Sequence, residues 1–175
     1  MNHWNESYKS LQTPEPYGDT ITYRLGARWL KDCEIVEDWG CGAGWFKQFC
    51  TPIYIGLDGS DTKFANKKVD LKTYRSTADG IFMRHVLEHN YEWRTILENA
   101  LDSFQTRMCL ILFTPLVPVT RTITTNPGYG NVPDISFALS ELEGIFRSHG
   151  ISFTHETFKT ETQYGTETII YLEKV

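Results

Sequence analysis

Val36-Glu37-Asp38-Trp39-Gly40-Cys41-Gly42-Ala43-Gly44 closes a short apolar run that begins at Glu34. The stretch spells acid-x-Gly-x-Gly-x-Gly. Glycines between a strand and a helix let the backbone approach a nucleotide-like ligand with no Cβ in the way. This points to a nucleotide cofactor at the carboxyl end of a first strand. Spacing narrows the choice. In the dinucleotide fingerprint G-x-G-x-x-G/A, the third glycine permits close packing of helix on sheet. Counted from Gly40, that position holds Trp45, and Gly44 comes one residue early. Trp45 therefore argues against a nicotinamide oxidoreductase.

Working outward, Ile53-Tyr54-Ile55-Gly56-Leu57-Asp58 reads as a second buried strand ending in an acid twenty residues beyond Asp38. In Rossmann-like units an acid there accepts hydrogen bonds from a ribose diol, which marks Asp58. Lys67-Lys68-Val69-Asp70-Leu71 is a short third strand candidate, and the segment before it leaves room for at most a shortened helix. Ile81 to Met83 reads as a fourth strand, followed by His85-Val86-Leu87-Glu88-His89.

These stretches together resemble the class I, Rossmann-like S-adenosylmethionine-dependent methyltransferases. The specific motifs lie in 36–44, 53–58 and 79–89, and the general layout matches across 30–175. The resemblance implies an α/β, three-layer fold. Its mostly parallel seven-stranded sheet would have the order 3-2-1-4-5-7-6 and a C-terminal antiparallel hairpin. It also implies S-adenosylmethionine as cofactor and S-adenosylhomocysteine as product. The implied cofactor-binding set is Asp38, Gly40, Cys41, Gly42, Gly44, Asp58, Gly59, Asp70, Arg84 and His85. Asp58 would hold the adenosine ribose and Asp70 would lie on the adenine side. Cys41 sits in the turn because a small residue suits it, with no chemistry assigned.

Two metal readings attach to 85–89. His85-x-x-Glu88-His89 matches the inverted zinc-protease pattern. That chemistry needs both histidines on one long helix and a third ligand, whereas His85 falls at a strand–helix junction. Some relatives, including ubiquinone-type and small-RNA 2′-O-methyltransferases, bind a divalent ion through E-x-x-E-H here. This chain has His85 in place of the first Glu and no further His ligand after the fifth strand, so no metal is expected.

Composition fits one packed domain: 175 residues, 41% hydrophobic and 14% aromatic. A net charge of −5 without a Lys/Arg cluster speaks against extended nucleic-acid binding. Cys33, Cys41, Cys50 and Cys109 show no metal-binding spacing and read as reduced thiols. With no export signal and no membrane-length apolar stretch, a cytoplasmic monomer or weak homodimer is expected.

The remainder supports the fold. Tyr91 to Phe104 carries a helical apolar stripe, and Arg107 to Phe113 is a buried strand. Leu116 to Pro133 reads as a long loop, and Ser136 as the cap of a helix reaching Ser148. Ile151 to Phe158 and Glu167 to Glu173 alternate as a terminal hairpin. The domain proper is expected over 31–175. Residues 1–30, rich in aromatics and broken by Pro14 and Pro16, form either a lid over the cofactor or a helix packed on the sheet edge. Arg24 or Arg28 would be within reach of the cofactor's methionine carboxylate.

Displacement at a sulfonium methyl needs alignment and dryness, and needs a base only when the acceptor is protonated. His85 is the candidate catalytic base, because imidazole titrates near neutrality. DNA amino-methylation is demoted, since Met83-Arg84-His85-Val86 stands where an Asp/Asn-Pro-Pro-aromatic loop would be. A small-molecule, metabolite- or glycan-like acceptor is expected. The alternative is a non-catalytic or partner-activated cofactor-binding module.

Overall fold

Seven strands form one sheet in the computed structural model, which describes residues 4–174. In chain order they are β1 (Ile35–Trp39), β2 (Ile53–Asp58), β3 (Lys67–Lys68), β4 (Gly80–Arg84), β5 (Arg107–Leu112), β8 (Ile151–Lys159) and β9 (Thr166–Lys174). The spatial order is β3-β2-β1-β4-β5-β9-β8. The first five strands run parallel, and the β8–β9 hairpin adds antiparallel beside β5. This is the expected strand order with its terminal hairpin.

Strand periodicity builds the three layers. Ile81 and Met83 of β4, with Met108, Leu110 and Leu112 of β5, face the helices α3 (Trp93–Ser103) and α4 (Leu139–Ser148). Phe82, Cys109, Ile111 and Ile169 face the opposite way, onto Tyr23 and Ala27 of α2 (Ile21–Trp29) and Leu30 just beyond it. Fully burying such a side chain stabilises by about 1.5–3 kcal/mol, so both helix layers are anchored by β4 and β5. Phe46 stacks flat on Phe82 with ring centroids 3.6 Å apart, closing the α2 side below the glycine turn.

Four expectations are corrected. The glycine turn is followed by a single 3-10 turn, Trp45–Gln48, rather than an α-helix. The chain must be back at the start of β2 by Ile53, whose N–H donates to the Glu34 carbonyl, and Phe46 must drop into the core. β3 ends at Lys68, so Asp70 lies beyond the strand; its Oδ1 accepts the Lys72 N–H at 3.0 Å and turns the chain.

The expected loop 116–133 contains a second sheet of β6 (Arg121–Asn126) paired antiparallel with β7 (Val132–Ser136). The threonines of β6 favour extended backbone but leave it largely exposed, so no hydrophobic pattern announces it. Ser136 ends β7 instead of capping α4, which is preceded by Ala138.

The N-terminal segment divides. Thr22, Tyr23, Gly26 and Ala27 of α2 are buried, whereas α1 (Trp4–Lys9) buries no residue and lies across the carboxyl edge of the sheet. No helix among the described residues is long and apolar enough to cross a membrane.

Candidate active site

The carboxyl ends of β1, β2 and β4 open into a cavity of about 860 Å³. Its floor is the glycine turn. Gly40 adopts φ 79° and Gly42 φ 49°, a region that disfavours any side chain. A Cβ on Gly40 would lie 2.4 Å from Val86 Cγ2, and one on Gly42 would lie 2.7 Å from the Tyr8 hydroxyl. The turn is tied down by the N–H groups of Gly40 and Cys41, both donating to the Leu57 carbonyl at 2.8 and 2.9 Å. Gly42 N–H donates to Asp58 Oδ2 at 2.9 Å, while Asp58 Oδ1 accepts from Ser60 N–H at 2.8 Å and Ser60 O–H at 2.6 Å. A carboxylate offers about four lone-pair sites, so Asp58 keeps one for a ligand.

Gly40, Cys41, Gly42, Asp58, Gly59, Asp70, Arg84 and His85 all line this cavity. Asp38 and Gly44 do not. Asp38 lies beneath the turn, where Tyr54 O–H donates to it at 3.0 Å and burial pushes its carboxyl up to about 7. Gly44 packs on Phe64, leaving a prospective Cβ 2.8 Å from that side chain. Burial raises the Cys41 thiol far above its usual range, which keeps it protonated. Arg24 and Arg28 are exposed and are not among the cavity's lining residues.

At the end of β4, charge is buried. Arg84 donates through Nε to Thr22 Oγ1 (3.2 Å), through Nη1 to Tyr23 Oη (2.8 Å) and through Nη2 to the Tyr17 carbonyl (2.8 Å). Its Nη2 is also 2.7 Å from Glu167 Oε1, and neither side chain is more than 5% exposed. His85 takes φ 57°, strain of order 1–3 kcal/mol for a residue with a side chain. That backbone turn sends its Nε2 to Glu167 Oε1 at 2.6 Å. Burial first, then the neighbouring Arg84 and His89, hold the imidazole well below its usual range, so the ring is neutral at pH 7.

The His-x-x-Glu-His residues diverge. While His85 faces Glu167, Glu88 Oε1 accepts the Phe113 N–H at 2.7 Å. His89 Nδ1 lies 3.1 Å from the Pro133 carbonyl and 3.3 Å from Asp134 Oδ1. No group of three ligating side chains forms among the described residues. Burial opposes charge on His89, but Asp134, Glu88 and the Pro133 carbonyl outweigh it and raise its pKa. Buried Asp134 also accepts from Asn126 (3.1 Å) and Tyr164 (2.7 Å), which pins the β6–β7 sheet to the cavity rim.

Aromatic side chains wall the outer half. Trp4 stacks on Tyr129 at 5.5 Å and tilts against His89 at 5.2 Å, while Tyr17 meets His85 edge-on at 5.6 Å. Asn5 and Asp61 exchange two hydrogen bonds, at 2.7 and 3.1 Å, that clamp α1 to the segment after β2. Sequence reasoning missed Trp4, Tyr8, Tyr17 and Tyr129 as individual cavity residues, and with them Asp134 and Glu167, which meet the lining residues His89 and His85 from behind. Trp4, Tyr8 and Tyr17 leave a trace only as part of the aromatic segment 1–30, and Glu167 as a charge opening the apolar stretch of β9.

No protein-family model matches the sequence, and no curated protein is detectably similar. Solved structures are similar in fold. The 1,6-didemethyltoxoflavin-N1-methyltransferase of Burkholderia thailandensis, with its substrate and S-adenosylhomocysteine bound, superposes at TM-score 0.71 and 13% identity, covering 90% of this chain and 80% of that one. Magnesium protoporphyrin IX methyltransferase from Synechocystis, with S-adenosylmethionine bound, gives 0.63 and 15% over 89% and 79%. An S-adenosylmethionine-dependent methyltransferase from Mesorhizobium loti gives 0.61 and 13% over 87% and 95%. The chain has the fold of the class I S-adenosylmethionine-dependent methyltransferases.

Proposed function

We propose that this protein transfers a methyl group from S-adenosylmethionine to a small-molecule acceptor. One observation carries the reading: the glycine turn, Asp58 and the His85 ring all open into a single cavity. The residues fit the cofactor. Gly40 and Gly42 leave a cradle that a Cβ would fill, and Asp58 keeps an acceptor site beside it. A cavity of this size suits a cofactor together with part of an acceptor.

In this reading Asp58 takes a ribose hydroxyl, Asp70 lies toward the adenine, and the turn from Gly40 to Gly42 flanks the adenosyl and methionyl parts. Cys41 serves by being small and uncharged. Arg84 already has four partners, so it holds the wall rather than gripping the cofactor directly. The α1 helix is the lid: Tyr8 closes over Gly42, and Trp4 joins the β6–β7 rim. Bound cofactor supplies an activated methyl; the protein aligns the acceptor and excludes water.

Calorimetry of the purified protein with S-adenosylhomocysteine, with NAD as control, tests the cofactor. Micromolar binding of the first and silence with the second are expected. Methyl transfer to a metabolite extract then separates the enzyme from a non-catalytic or partner-activated module, which would bind and not transfer. Silence with both ligands sinks both readings.

A further inference from the structure

Glu167 lies in β9, 82 residues from His85, and its side chain is wholly buried. Its Oε1 accepts from Thr22 O–H at 3.1 Å and faces Arg84 Nη2 at 2.7 Å and His85 Nε2 at 2.6 Å. Burial raises the Glu167 carboxyl, and Arg84 at 2.7 Å, with the Thr22 hydroxyl, opposes that shift as the counter-charge that lets a carboxylate persist there. A neutral imidazole has one N–H and one bare nitrogen, and an ionised carboxylate only accepts. The His85 N–H must therefore lie on Nε2, and the lone pair on Nδ1. Among the described residues Nδ1 has no hydrogen-bond partner, and the ring lines the cavity. The ring is held in place: its backbone is at φ 57°, Phe113 packs at 4.8 Å and Tyr17 at 5.6 Å.

We propose that Glu167 is a positioning residue that locks His85 as the Nε2–H tautomer and presents Nδ1 to the cavity as the base for a hydroxyl acceptor. This rests on the methyl-transfer reading and deepens it. An amine free base or a thiolate would bring its own lone pair and need no such device. In the step, Nδ1 takes the hydroxyl proton and the oxygen lone pair forms the bond to the methyl carbon. The carbon–sulfur pair stays with sulfur. The products are a methyl ether, S-adenosylhomocysteine and an imidazolium that faces the Glu167 carboxylate. That imidazolium returns its proton to solvent through the cavity. The charged and titratable groups around the ring are Arg84 from β4, His89 from the turn after it, Glu167 from β9 and Tyr17 from the N-terminal segment.

The test is nitrogen NMR of the full chain with isotope-labelled histidine, free and with S-adenosylhomocysteine, for wild type and Glu167→Gln. His85 is expected as one neutral tautomer, protonated on Nε2, in the wild type, and as a tautomer mixture in the variant. A wild-type ring protonated on Nδ1, or a mixture, overturns the proposal. So does an unaltered tautomer in a folded variant, because a merely structural Glu167 would lower thermal stability without touching the ring. Glu167 also neutralises Arg84, so if the variant unfolds, the wild-type spectrum alone decides.

A second measurement gives the protein methyl-labelled S-adenosylmethionine and a metabolite extract, and reads the carbon shift of the transferred methyl. An O-methyl product is expected, with kcat reduced about a hundredfold or more in Glu167→Gln while KM moves little. An N-methyl or S-methyl product removes the hydroxyl assignment. Bound S-adenosylhomocysteine with no transfer at all removes the catalytic role of the pair. Failure to bind S-adenosylhomocysteine removes the underlying reading instead, so the two failures are distinct.

Discussion

Replacing Asp58 with alanine would test the cofactor assignment at its most constrained point. Three protein donors already occupy the carboxylate, at 2.9, 2.8 and 2.6 Å, so a ribose can claim only the remaining acceptor site. A sequence reading in which both ribose hydroxyls bond to this acid becomes a single charge-assisted bond. Losing one such bond costs about 1.5–3 kcal/mol, or roughly a tenfold to 150-fold weaker Kd. The same change strands the N–H groups of Gly42 and Ser60, so the free protein also loses stability, by about 1–3 kcal/mol for each buried donor left unmet. Asp58→Asn keeps an acceptor oxygen and should fall between wild type and Asp58→Ala on both counts. Calorimetry with S-adenosylhomocysteine reads the first quantity and urea unfolding the second. An Asp58→Ala protein that is destabilised yet binds with unchanged affinity would refute the ribose role and leave Asp58 as a brace for the turn.

Three further outcomes follow from the geometry. Glu88, buried with Oε2 unpartnered, is pushed up to about 7. Its folded value exceeds the unfolded carboxylate value of about 4.3, so its stabilising contribution is complete below that pH and lost as pH rises through about 7. Glu88→Gln should therefore gain stability over wild type at about pH 8 and little at about pH 4, and parallel urea curves at the two pH values would count against it. Gly40→Ala places a methyl 2.4 Å from Val86 Cγ2 at φ 79°, so it should lower stability by more than about 1 kcal/mol and weaken S-adenosylhomocysteine binding. A melting temperature and affinity equal to wild type would show that the turn relaxes freely. Tyr8→Ala removes the ring over Gly42 from a helix that buries no residue. Thermal stability should change little while S-adenosylhomocysteine dissociates faster in stopped flow; an unchanged off-rate would dismiss α1 as a lid.

How far the sequence reached can be judged residue by residue. Ile53–Asp58 was legible as a strand because it is a short run of strand-favouring residues that becomes fully buried over Gly56–Asp58 and closes on an acid. The β6–β7 sheet was not, because a mostly exposed strand needs no apolar alternation and pairs only through its backbone. Gly44 and Asp38 belong to the sequence motif, yet Phe64 and Tyr54 decide what they touch. The motif marks where the chain must turn. It does not mark which atoms of the turn reach the cavity.

The chain alone determined the strands of the main sheet, the glycine turn and the acid at the end of β2, because each rests on local sterics or periodic burial. Only the tertiary structure brought Glu167 to His85, Asp134 to His89 and Tyr8 to Gly42. Those pairings are set by how the sheet edge, the rim and the N-terminal segment close over one another. A buried charge finds its partner through space, and sequence separation carries no record of that distance.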